Sequence, residues 1–82
     1  PIYSAAYQGL GGSYGEMRQY DKALEAYQKA VDLDANYAEA QYGLGWSLYH
    51  LERFGDAIEP LLDAINLKPD LGAAHFTLGQ TY

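Results

Sequence analysis

Apolar and small residues recur three or four positions apart along this chain, within segments of about 12 to 14 residues that are separated by short polar turns. This is the period of a helix and not the alternation of a strand. Alanine, leucine, glutamate and lysine dominate the segments, in keeping with helix propensity. The pattern predicts an all-α chain of five helices, at about residues 3–17, 21–33, 38–51, 55–67 and 71–82.

The helices repeat. Leu10-Gly11-x-x-Tyr14, Leu44-Gly45-x-x-Leu48 and Leu78-Gly79-x-x-Tyr82 recur at a spacing of 34 residues. Laying residues 4–37 over 38–71 gives nine identities, among them Ala6/Ala40, Gly9/Gly43, Ser13/Ser47, Ala23/Ala57 and Ala30/Ala64. Tyr20/Phe54, Leu24/Ile58 and Val31/Ile65 conserve size. Residues 4–37 and 38–71 thus read as two full units, 72–82 as the first helix of a third, and 1–3 as the end of a preceding one. The chain is expected to be a fragment of a longer array. Stability in an array is a sum of neighbour interfaces, so open ends predict self-association, by end-to-end stacking or exchange of a terminal helix.

The unit resembles the tetratricopeptide repeat. Tyr7, Leu10, Gly11, Tyr14, Ala23, Tyr27 and Ala30 fill that family's signature in the first copy, and Leu44, Gly45, Ala57, Ala64 and Pro69 in the second, while Gln41, Leu48 and Ala35 depart from it. The resemblance implies a right-handed superhelical solenoid of antiparallel helix hairpins. Gly11, Gly45 and Gly79 are expected where the first helix of each pair approaches the second, since a larger side chain there would overpack the contact. Asp21 and Asp56 are expected near the starts of second helices, accepting orphan N–H groups. Pro60 lies well inside the fourth helix, where it predicts a kink or a delayed start.

The resemblance also places function on the concave wall formed by the first helices, and implies partner contacts from Gln8, Gly12, Glu39, Tyr42, Gly43, Trp46, Tyr49 and Phe76. Ala5, Gly9, Gly15, Glu16, His50, Ala73, Thr77 and Gln80 would stand beside them. Tyrosine, tryptophan and phenylalanine supply contact area with little entropy to lose, and glycines let a backbone come close. The expected partner is therefore a protein or peptide with an apolar anchor. One subclass of the family grips a terminal carboxylate with basic residues, but the matching positions Gln8, Gly12, Gly43, Ala73 and Thr77 carry no positive charge.

Charge narrows the partner further. A net charge of −6 with five Lys and Arg argues against nucleic acid and weakly favours a neutral or basic partner. No stretch approaches a membrane span or a signal peptide. The absence of cysteine excludes disulfides and thiolate metal sites and suits a cytoplasmic protein. His50 and His75 lie on separate helices, and Ser13 and Ser47 recur with the Leu-Gly pair as packing residues. No nucleophile, base and acid converge, so no enzyme activity, cofactor or metal is expected.

Overall fold

The computed structural model describes residues 2–82. Pro1, assigned above to the end of a preceding unit, lies outside the described residues. Helices α1 (Ile2–Glu16), α2 (Tyr20–Leu33), α3 (Ala38–His50), α4 (Phe54–Leu67) and α5 (Gly72–Thr81) follow one another without a strand among the described residues. Each boundary falls within about one residue of the periodicity reading. Successive helices pack side by side, and α1, α3 and α5 also touch one another in a row, with α2 and α4 behind them.

Small residues set how closely these helices pack. Ala23, Ala30, Ala40, Ala57, Ala64 and Ala74 are fully buried. A Cβ at Gly11 would lie 2.8 Å from the ring of Tyr27, and one at Gly43 would fall against the same ring. Tyr27, on α2, therefore fills the room left by two glycines on two other helices. One copy later, a Cβ at Gly45 would lie 2.6 Å from Cγ of Leu61, which is fully buried. Gly79 differs from this expectation: nothing lies within 4 Å of its would-be Cβ, because no helix packs over that side of α5. Tyr27, Leu44, Leu48 and Leu61 complete the core with the buried alanines.

The turns within each hairpin share one geometry. Arg18 and Glu52, 34 residues apart, both take left-handed backbone, at φ 60° and 62°. Around Arg18, the amide of Gln19 donates to the Tyr14 carbonyl at 2.9 Å and that of Arg18 to Gly15 at 3.0 Å; Arg53→Leu48 and Glu52→Tyr49 repeat the pair at 2.9 and 3.0 Å. These are the crossed bonds of a Schellman ending, with a residue other than glycine where glycine is favoured. The chain reverses so tightly that α2 and α4 begin at Tyr20 and Phe54, with Gln19 and Arg53 at the cap positions and no side-chain cap bond. Asp21 and Asp56 sit inside the first turn instead of capping it, where both favour the helix dipole and Asp56 also pairs with Arg53.

The turns between pairs rely on polar side chains. Gln41, buried on α3, donates from Nε2 to the Ala35 carbonyl at 3.0 Å, and the Asn36 amide donates to Oδ1 of Asp34 at 3.1 Å. Ser4 Oγ donates to the Ala30 carbonyl at 3.0 Å in a buried bond that joins the start of α1 to the end of α2. Of the kink or delayed start expected at Pro60, the delayed start does not occur: α4 runs without a break from Phe54 to Leu67. Pro60 is buried at the place that Ala26 holds in α2, so its ring gains apolar burial to set against the one lost bond to the Asp56 carbonyl.

Three outcomes follow for stability. Gly43→Ala is expected to lower the unfolding free energy by about 1–3 kcal/mol in urea titrations, through overpacking against Tyr27, whereas Gly79→Ala raises it by about 0.5–1 kcal/mol by removing backbone freedom at an open helical site. Glu52→Gly, relieving left-handed backbone, is expected to raise it by up to about 1 kcal/mol in the same assay.

Candidate functional site

The stripe Tyr42, Trp46, Tyr49 runs along α3 at the helical spacings i, i+4, i+7, and it falls on the side where α3 lies between α1 and α5. Two adjoining hollows open there. One, of about 290 Å³, lies toward α1 and is lined by Gly12, Gly15, Glu16, Tyr27, Tyr42 and Trp46. The other, of about 370 Å³, lies toward α5 and is lined by Tyr42, Trp46, Tyr49, His50, Ala73, Phe76, Thr77 and Gln80. Tyr42 and Trp46 belong to both, so they form the ridge between the hollows.

Trp46 is held firmly in this ridge. A Cβ at Gly15 would meet its ring at 2.7 Å, so the missing side chain on α1 is the indole's seat. Tyr20 meets the indole edge-on with centroids 5.4 Å apart, and His50 does so at 4.5 Å. His50 in turn stacks on Tyr20 at 4.6 Å and abuts Tyr49 at 5.2 Å, and Tyr49 reaches Phe54 at 5.5 Å. Edge and offset contacts of this kind suit the ring quadrupoles. Although part of His50 meets solvent, the loss of hydration among these rings holds its pKa below the ordinary histidine value. That shift favours the neutral imidazole.

Tyr27 enters the same surface from behind. Its ring crosses between α1 and α3 over Gly11 and Gly43, and its hydroxyl lies 3.6 Å from the would-be Cβ of Gly12. Burial, and then the neighbouring Tyr42, push its pKa up, so the phenol stays protonated. The signal for this role was present as a large aromatic residue facing glycines in two successive units, but a contact that crosses from one unit to the next is invisible within either.

Of the residues expected on the concave wall, Gly12, Tyr42, Trp46, Tyr49 and Phe76 line the two hollows. Gly43 does not open onto them, because the Tyr27 ring occupies the space above it and leaves no approach for a foreign backbone. Glu39 lies elsewhere too. It takes a hydrogen bond from Lys68 Nζ at 3.1 Å, which holds its carboxyl below the usual range, and it borders a separate depression with Ala5, Tyr37 and Leu67. Gln8 is half-buried on α1 and lines neither hollow.

The opposite face carries a wider depression of about 620 Å³ beside α2, floored by Leu44 and Leu48 and edged by Asp21, Glu25, Asp32 and Asp56. Its edge is partly paired within the chain: Arg53 meets Asp56 at 3.0 Å and Gln28 donates to Asp32 at 2.9 Å. Leu44 and Leu48 are themselves buried, so this valley offers little apolar area to a partner. Among the described residues no group of three or more His, Asp or Glu is arranged to hold a metal ion. Among the same residues no helix is long and apolar enough to cross a membrane.

A comparison with curated proteins gives no match. Among solved structures, the chain is similar to the second TPR domain of human RPAP3 in complex with an HSP70 peptide, with a TM-score of 0.91 and 19% identity over 96% of this chain and 66% of that one. It is similar to a mutant of MamA at a TM-score of 0.85 and 26% identity, over 96% of this chain and 43% of that one. A tetratricopeptide repeat domain protein from Salinibacter ruber gives 0.80 and 21%, over 99% and 88%. The chain thus spans less than two thirds of the first two neighbours. The sequence model of the tetratricopeptide repeat matches residues 9–72, most of the chain and both complete helix pairs but for the start of the first, and the chain belongs to the tetratricopeptide repeat family.

Proposed function

We propose that this chain is a non-catalytic protein-interaction scaffold that holds a peptide or a helical segment along the α1–α3–α5 wall. The observation that carries the reading is the pair of hollows on either side of the Tyr42–Trp46 ridge. Two adjacent hollows suit two side chains of one segment, and rigid aromatic walls give contact area at low entropic cost. The RPAP3 domain is solved with a peptide that ends in two glutamates, a valine and an aspartate. No lysine or arginine lines either hollow here, so the reading includes no carboxylate clamp and favours a neutral or basic segment. A cysteine-free chain suits a cytoplasmic setting.

A second reading, self-assembly, rests on a different observation. Leu44 on α3 is 7% exposed beneath α2, whereas Leu10, its counterpart on α1, is 43% exposed, beside the open side chains of Ala6, Ser13 and Met17. That face of α1 fits a further helix. Light scattering at millimolar protein tests it: a dimer or larger species that Leu10→Lys returns to monomer supports assembly, and a monomer throughout excludes it.

The groove reading is tested with peptides selected from a random library on the immobilised chain. Tyr42→Ala and Phe76→Ala are expected to weaken the selected peptides by at least about tenfold, as truncation of buried aromatic anchors does. Leu62→Ala, an exposed change on α4, leaves affinity within about twofold. Equal loss in all three variants, or in none, refutes the groove. Trp46→Ala is the poorer test, because removing the indole from its seat on Gly15 costs about 3–5 kcal/mol of stability.

A further inference from the structure

The hollow between α3 and α5 has a composition that an apolar anchor alone does not explain. Its walls carry four aromatic rings, Tyr42, Trp46 and Tyr49 from α3 and Phe76 from α5, with the acceptors of Thr77 and Gln80 beside them. Phe76 is 67% exposed, and it stacks on no other ring among the described residues.

The chain already sets ammonium groups over rings. Lys22 Nζ lies 5.9 Å from the centroid of Tyr14 and Lys29 Nζ 5.8 Å from that of Tyr7, both within the reach of a cation–π contact. Both contacts are made by α2 on α1, away from this hollow. Among the described residues, no lysine or arginine of the chain lies over a ring of the α3–α5 hollow.

The electrostatics favour a cation there. No lysine or arginine lines either hollow, and Glu16 borders the one next door. His50, the single group of the wall that can take a positive charge, has its protonation disfavoured by the loss of hydration among the rings around it. The chain as a whole carries −6, which raises the local concentration of positively charged segments.

We infer that the α3–α5 hollow is a subsite for an arginine side chain of the bound segment, its guanidinium lying against the faces of Trp46 and Phe76 with its N–H groups directed to Tyr hydroxyls and Gln80. A guanidinium fits better than an ammonium because it is planar, weakly hydrated and able to stack while it donates along its edge. This inference rests on the groove reading and adds the chemistry of one anchor to it.

Trp46 is the single tryptophan of the chain, so its fluorescence reports on this hollow directly. Blocked alanine pentapeptides with one central arginine, citrulline or leucine serve as probes, at about 0.3 M NaCl so that attraction between exposed charges is largely screened. The arginine peptide is expected to give a saturable signal, with citrulline and leucine at least about fivefold weaker. Phe76→Ala is expected to remove that preference while circular dichroism and the melting temperature stay unchanged. Citrulline binding as tightly as arginine, a preference untouched by Phe76→Ala, or no saturable signal from any probe each overturns the subsite. If leucine binds best and Tyr42→Ala abolishes it, the subsite is refuted and the groove reading stands; if library-selected peptides also ignore Tyr42→Ala, the groove reading falls with it.

Discussion

The ring of Tyr27 is the contact on which the geometry of the site depends. It leaves α2, passes over Gly11 of α1 and Gly43 of α3, and fixes the separation of the two helices whose outer faces make the first hollow. Helix pairs in a linear array touch only their neighbours, so the curvature of the wall is set by a few such interfaces and not by a global core. Replacing either glycine moves the wall, and with it the angle at which Trp46 sits against Gly15. Stability and the shape of the binding surface are thus decided by the same small set of side chains.

A second consequence of this economy is that the aromatic residues divide into two trades. Tyr20 and His50, with Tyr49 and Phe54 beyond them, hold the indole of Trp46 by edge and stacking contacts, so the ridge is preorganised before anything binds. Phe76 makes no such contact and stays open. A rigid ridge flanked by a free ring lowers the entropy lost on binding while leaving one wall to adjust. His50 contributes as a flat ring; its titration is a by-product of its neighbours.

Much of this was legible in the chain of residues because helix period and a 34-residue recurrence are local signals. Helix boundaries, the buried alanines and the placement of Tyr42, Trp46, Tyr49 and Phe76 on the row of first helices all derive from them. The misreadings share a cause, which is that each depends on a contact between units or on a turn geometry. Gly43 resembles an open groove glycine until Tyr27 of the preceding pair is laid on it. Glu39 sits at a groove position by count, yet Lys68, 29 residues on, draws it aside. Asp21 and Asp56 look like caps, but the left-handed residues Arg18 and Glu52 close the turn one residue early. Pro60 breaks a rule of isolated helices, and burial offsets it.

Tyr27 and Gly43 stand in different units, and their counterparts one unit on are Leu61 and Thr77, a smaller side chain set by register opposite a larger one. The volume is shared across the boundary between units, so neither half is a free-standing part. A gene rearrangement that joined the second unit to a copy of itself would lay a leucine over the Gly43 position and leave the seam underfilled. A crossover inside the first helix pair would keep Tyr27 with Gly43 but part it from Gly11, so no breakpoint between those two glycines leaves every contact of the ring intact.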